Sequence, residues 1–217
     1  MNLDFVSIFI ILVIIVASVI LHELSHGLVA YWLGDRTAKE AGRLSLNPLK
    51  HIDPFMSILV PVLLYILKAP VFGGAKPVPI NKYNLKGREW GMALVAFAGP
   101  FTNLLIAFIS FVIGHFTGLL YGTGGQIPEF IFSELVFVNI GFTIFNIIPI
   151  PPLDGSRILY AISPDFVRNI LSAIEPYGFI IVYFLIVILG QVFSNIMVSA
   201  TNGIISAFYF IVGANML

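Results

Sequence analysis

The sequence contains the run His22-Glu23-Leu24-Ser25-His26, two imidazoles four residues apart with a carboxylate beside the first. On a helix, positions i and i+4 share a face, so both rings can bind one metal ion while Glu23 takes a proton from a water held there. That is the chemistry of metal-assisted peptide hydrolysis. The same pattern can arise by chance on the surface helix of a soluble protein. Here it interrupts a long apolar stretch, and ionisable side chains at membrane depth are expensive enough to be read as functional.

Two histidines are too few for a catalytic zinc site, which usually has three protein ligands and leaves a fourth position to water. With no Cys in the chain, thiolate ligands and disulfides are excluded, and the third ligand must be His, Asp or Glu. Asp154 lies in Asn146-Ile147-Ile148-Pro149-Ile150-Pro151-Pro152-Leu153-Asp154-Gly155, at the end of an apolar segment where prolines and a glycine break the backbone. Broken backbone at membrane depth is tolerated where it lines a site. The alternative role for Asp154 is an N-cap of the helix that follows. His51, in Leu49-Lys50-His51-Ile52-Asp53-Pro54, is the competing third ligand, although its basic loop suits a supporting histidine better. Asp53 reads as a turn residue, and His115 as an interfacial residue on the other side.

These residues need a scaffold, and the composition says which kind. Of 217 residues, 59% are apolar and 10% charged, against roughly 45–50% and 25% in soluble proteins. With a mean hydropathy of +1.00, the chain reads as an integral membrane protein. Eleven Lys+Arg balance eleven Asp+Glu, so net charge makes no case for nucleic acid. Phe5 to Leu21 is uncharged but lacks the basic start and small-residue cleavage site of a signal peptide, and reads as a retained helix. No repeat or polar linker divides residues 1–217. They form one membrane-embedded unit, with a core over about 5–163 and C-terminal helices over about 176–213.

A span needs about 20 mostly apolar residues. Phe5 to Leu33, Trp90 to Gly114 and Ile127 to Ile150 qualify, and the charge-free stretch after Glu175 is long enough for two more, turning near Gly190 to Asn195. The expected fold is all-α and polytopic, with about five spanning helices. Phe55 to Phe72 is interrupted by Pro61, Lys68 and Pro70 and reads as a re-entrant segment. Ala38 to Asn47 and Ala75 to Asn81 read as short strands near the site. Basic residues cluster after the first helix (Arg36, Lys39, Arg43, Lys50), before Trp90 (Lys76, Lys82, Lys86, Arg88) and after Ile150 (Arg157, Arg168), whereas Thr117 to Gln126 has none. The positive-inside rule then puts these loops in the cytoplasm and the N-terminus outside.

The motif His22-Glu-x-x-His26, the stretch Ala98-Gly99-Pro100-Phe101-Thr102-Asn103 and the run from Asn146 to Gly155 together resemble the site-2 protease family of intramembrane zinc metalloproteases. Gly42 to Pro54 and Gly74 to Asn81 are similar to its compact prokaryotic members, without a PDZ-like or CBS-like domain. The resemblance implies one zinc ion per chain on His22, His26 and Asp154, with Glu23 as catalytic base and Asn146 as a donor to the developing oxyanion. It also implies a transmembrane-helix protein as substrate and a prokaryotic plasma membrane as location, and the orientation set by the basic loops opens the site to the cytoplasm. It gives no oligomeric state. Asn103 with Gly99 reads mainly as close helix packing.

A spanning helix must unwind before water can attack it, and Ala75 to Asn81 could either pair with the unwound strand or simply cover the site. A metal transporter or sensor could use the same His/Asp set, but would tend to show repeated halves and ionisable residues on several helices. An inactive scaffold would not need Glu23.

Overall fold

The computed structural model describes residues 5–66, 68, 74–121 and 125–213. Helix α1 (Phe5–Trp32) is followed by the single turn α2 (Thr37–Glu40), a 3-10 turn (Pro48–Lys50), a π-helical turn (Pro54–Leu59) and the short α3 (Val60–Ile66). Next come an irregular segment over 74–81, a 3-10 turn (Lys82–Asn84), α4 (Glu89–Phe116) and α5 (Gln126–Ile147). The remainder is α6 (Asp154–Ile162), α7 (Asp165–Ile174), a 3-10 turn (Glu175–Tyr177), α8 (Gly178–Ile188) and α9 (Gly190–Ile211). At 28 residues each, α1 and α4 are about 42 Å long, ample for a ~30 Å hydrocarbon layer.

Helices α1, α4 and α5 pack against one another, and α6 lies across α4. One apolar cluster joins Ala107 and Phe111 of α4 to Val136, Ile140 and Ile144 of α5 and Phe208 of α9. A second joins Ala30 of α1 to Leu85 and to Val95 of α4. The outward faces remain apolar, with Phe5, Phe9, Leu12, Leu105 and Ile109 exposed. Lipid can cover such a surface; water would penalise it.

The segment begun at Pro54 returns to where it started. The Gly74 N–H donates to the Met56 carbonyl at 3.1 Å, and the Ser57 hydroxyl donates to the Gly74 carbonyl at 2.7 Å. The start of the expected re-entrant segment, Phe55 to Phe72, therefore lies beside Gly74, which follows it in the chain, and residues 67 and 69–73 fall outside the described part.

Three expectations change. No strand occurs among the described residues. The stretch from Ala38 begins inside α2 and turns at Gly42, whose φ is +64°. In 75–81, Pro77 and Pro79 lack the N–H groups a ladder requires, and the apparent alternation reflects Val78 buried against α1. Second, among the described residues four runs are long and apolar enough to cross, namely Phe5–Trp32, Glu89–Phe116, Gln126–Ile147 and Asp165–Ile188, rather than about five. Helix α9 matches α5 in length but is diluted by Gln191, Asn195, Thr201 and Asn202. Third, no hairpin turn occupies 190–195. Helical hydrogen bonds run through Leu189, from Leu189 N–H to Leu185 at 2.9 Å and from Phe193 N–H to Leu189 at 2.8 Å, so α8 continues into α9 through a bend.

The loop side of α1 is held by Asp35, which is fully buried. Its carboxylate accepts from the Thr37 N–H (3.1 Å) and hydroxyl (2.5 Å), the Asn81 N–H (2.7 Å) and the Asn84 amide (3.2 Å). Burial pushes its pKa up, but these donors outweigh burial and hold it below the ordinary 3.8. A carboxyl depressed in the folded state stabilises above its unfolded pKa and loses that contribution as pH falls through the folded value. Asp35→Ala should therefore destabilise by about 2–3 kcal/mol near neutral pH. Thermal unfolding in micelles should show this gap narrowing once the pH drops below about 4; a gap independent of pH would mean that the carboxylate charge is not what holds the loop.

Candidate metal centre

His22 and His26 lie one turn apart on α1 and are both buried. Their Nε2 atoms are 3.0 Å from each other and lie 3.1 and 3.3 Å from Asp154 Oδ2. Asp154 reaches them because α5 ends at Ile147 and the proline-rich turn brings the first residue of α6 back against α1. Among the described residues this is the cluster of His, Asp and Glu side chains that could hold a metal ion. Asp154 does not cap α6: it is the first helical residue, and Leu153 occupies the cap position.

The remaining hydrogen bonds fix which ring nitrogens carry protons. His26 Nδ1 faces the Val95 carbonyl at 2.7 Å, and a carbonyl only accepts, so Nδ1–H donates. The Asn139 amide N–H donates to the Leu135 carbonyl at 2.9 Å, leaving its Oδ1 to accept from Asn103 Nδ2 at 2.8 Å. Asn103 then turns Oδ1 toward His22 Nδ1 at 2.6 Å, which must donate. With Nδ1 protonated, each neutral ring offers its Nε2 lone pair, and both Nε2 atoms face a carboxylate oxygen that is itself buried without a hydrogen-bond donor. The distances suit an ion pair when a ring is doubly protonated, and a shared cation when both rings are neutral. Three acceptors turned on one point repel unless a cation joins them, so the donor set fits a metal such as zinc.

Space for this cluster comes from Gly99 on α4. A Cβ at that position would lie 2.5 Å from His22 Cε1 and Nε2 and from His26 Cε1. Any larger residue would push α4 away from the rings it orients.

Glu23 stands beside the cluster, half-buried, and its Oε2 accepts the Val78 N–H at 2.8 Å. Of the other His, Asp and Glu residues singled out from the sequence, none joins this cluster. His51 is buried in the loop, donates from Nε2 to the Ser45 carbonyl at 2.7 Å and is outside the cluster, so it is not the third ligand. Asn146, in the last turn of α5, donates one amide N–H to the Phe142 carbonyl at 3.0 Å. His115 hydrogen-bonds Tyr121, which contacts Tyr209, and joins α4 to α9.

Sequence reading singled out neither Asn139, Val78 nor Asp35. Asn139 did carry a signal, since an amide within a spanning helix is uncommon and usually bonds to another helix. The main-chain role of Val78 carries none.

Residues 125–190 match the family model described as peptidase family M50. A Bacillus subtilis protein named as a candidate zinc metalloprotease, YwhC, is 41% identical over 174 residues, covering 77% of this chain and 75% of the relative. A similarly named protein of Mycolicibacterium smegmatis, Rip2, is 30% identical over 187 residues, covering 85% of this chain and 70% of the relative. No solved structure matches the chain.

Asn103→Leu removes the acceptor that fixes the His22 tautomer while leaving both rings in place. Zinc affinity, measured by chelator competition, should fall about 10–100-fold, the usual effect of losing the hydrogen-bond partner of a ligand histidine. Unchanged affinity would mean that Asn103 serves packing alone.

Proposed function

Since this chain belongs to peptidase family M50, the site-2 protease family of zinc metalloproteases, we propose that it is an intramembrane endopeptidase acting on transmembrane segments of other membrane proteins. His22, His26 and Asp154 hold one zinc ion, and Glu23 is the catalytic base. The observation that carries this reading is the convergence of two imidazole Nε2 atoms and a carboxylate oxygen, 3.0 to 3.3 Å apart, beside a second carboxylate on an apolar helix.

Zinc, when bound in such a site, lowers the pKa of water toward 7 and polarises a peptide carbonyl. The chain's own residues do the rest. Glu23 accepts a proton from the attacking water and later delivers it to the leaving amine nitrogen. Asn146 has spent one amide N–H on Phe142, and its second can donate to the carbonyl oxygen as negative charge develops there. A substrate helix arrives with its carbonyls already hydrogen-bonded and must unwind locally before attack. The irregular 74–81 segment presents no strand for it to join, which favours a covering role over strand pairing.

The membrane orientation follows from the basic loops. With the N-terminus outside, in a prokaryotic plasma membrane, α1 runs inward, the Pro54–Gly74 segment stays on the cytoplasmic side, α4 runs outward and α5 inward. Asp154 then meets the His pair in the cytoplasmic half. Single cysteines at Leu46, Tyr83 and Thr117, all exposed positions in a Cys-free chain, test this. Leu46 and Tyr83 should react with an impermeant thiol reagent only from the cytoplasmic face and Thr117 only from outside. Labelling of Leu46 and Tyr83 from opposite faces would reject the topology.

The function itself is tested with purified protein in vesicles containing a single-span substrate. Glu23→Gln should retain zinc and the wild-type fold but lose about 10²–10⁴-fold in cleavage, the range for loss of a general base. Asp154→Ala should lose zinc as well as cleavage. A Glu23→Gln protein that still cleaves, or a wild type that carries zinc across the bilayer and cleaves nothing, would reject the proposal in favour of a transporter.

A further inference from the structure

The segment 74–81 is fastened to the protein through its main chain. The Lys76 N–H donates to the His51 carbonyl at 2.8 Å, and the Lys76 carbonyl accepts from Arg43 Nη2 at 2.7 Å. At its far end the Asn81 N–H donates to Asp35 Oδ2 at 2.7 Å. Arg43, His51 and Asp35 are all buried. Between these points Pro77 and Pro79 stiffen the chain and bias Lys76 and Val78 toward extended conformations. They also leave Val78 with the only backbone N–H of the three consecutive residues 77–79, and that N–H donates to Glu23 Oε2 at 2.8 Å.

The approach depends on Gly27. It lies one turn beyond Glu23 on the same face of α1, and a Cβ there would stand 3.1 Å from Val78 Cγ1 and 2.4 Å from Leu44 Cδ2. Val78 fills this notch and is 5% exposed. The side chain sets the height of the strap above α1, and the N–H is thereby delivered to the carboxylate.

We propose that Val78 is a positioning residue for Glu23: its main-chain N–H holds Oε2 and leaves Oε1 as the oxygen that receives the proton. The inference rests on Glu23 being the base. A glutamate side chain has several accessible rotamers, and fixing one of its oxygens selects the rotamer that faces the ligand cluster. The buried loop residues Arg43, His51 and Asp35 act at one remove, by holding the strap. A movable cover would need a weakly held segment, whereas this one is anchored on both sides of Val78.

The test compares Val78→Pro, which removes the N–H, with Val78→Ala, which keeps it. Zinc content and melting temperature are measured for each variant alongside kcat and KM on a single-span substrate. Val78→Pro should keep its zinc and its KM within about twofold and lose about 10²-fold in kcat, the scale expected for a misplaced catalytic group. Val78→Ala should recover most of that loss. If Val78→Pro does not fold, Gly27→Ala replaces it, because its Cβ crowds the Val78 side chain and shifts the strap while removing no backbone N–H. It should lower kcat with zinc retained.

Wild-type kcat in Val78→Pro, or in Gly27→Ala where that variant replaces it, would overturn the inference. A kcat above wild type would also overturn it, because the strap would then restrain the base rather than aim it. Equal losses in the Pro and Ala variants, carried by KM, would likewise overturn it and make Val78 a substrate contact. Each of these failures leaves Glu23→Gln inactive. Failure of the functional reading is distinct, since the wild type would then cleave nothing.

Discussion

A chain of three buried polar side chains sets the register of the molecule. His22 on α1 donates to Asn103 on α4, which donates to Asn139 on α5, and both asparagines are fully buried. Apolar packing between helices in lipid is weakly directional, because lipid tails are as apolar as the side chains they replace. Ala107, Phe111, Val136 and Ile140 could pack in several neighbouring registers. The amide chain admits one, since a slip by a turn would leave an imidazole and two amides without partners in a medium that offers none. Thr143 adds to it by donating to the carbonyl of Pro100 at 3.1 Å, in the stretch of α4 where a proline interrupts the helix.

The same chain connects architecture to chemistry. By holding the Nδ1 protons of both histidines, Asn103 and the Val95 carbonyl turn both Nε2 lone pairs toward Asp154. Such a cluster of acceptors is electrostatically unfavourable alone and favourable around a cation. A metal ion held by this cluster would couple its binding to the docking of the α5–α6 turn against α1, two parts of the chain separated by more than a hundred residues. Gly99 makes the geometry possible by letting α4 lie against the rings. The helix that supplies the hydrogen bonds is thus also the one that must come closest.

The sequence made these residues legible as candidate ligands because their signals are local or strongly constrained. His22, Glu23 and His26 follow one helical period, and Asp154 stands at a proline-rich break where an acid at membrane depth has few other uses. The competing ligand His51 and the capping role of Asp154 could be weighed but not separated, since the choice depends on which loop folds back onto α1. The long helices were legible from length and hydropathy. The strand expectation for 75–81 fails because alternation arises equally from a ladder and from a single strap laid on a helix, and only the missing N–H groups of Pro77 and Pro79 point to the strap. The join of α8 to α9 was misread because Gly190 and Asn195 look like turn residues, although neither prevents a helix from continuing through a bend.

The polar loop on the basic side explains how irregular backbone can lie so close to an apolar helix. Where that backbone is buried against the helix, its main-chain groups need protein partners. Asp35 takes the amides of Thr37 and Asn81, Arg43 takes the carbonyl of Lys76, and Asn47 and Asp53 take the amides that open the turns at Pro48 and Pro54. Asp35, Arg43, Asn47 and Asp53 are thus accounted for by the backbone bonds they complete. What they hold in place is a stretch of chain with two prolines, which no helix or ladder could satisfy, lying directly over the carboxylate next to the metal-binding histidine pair. In this fold the strength of the loop's hydrogen bonds and the position of the reactive carboxylate are one mechanical problem.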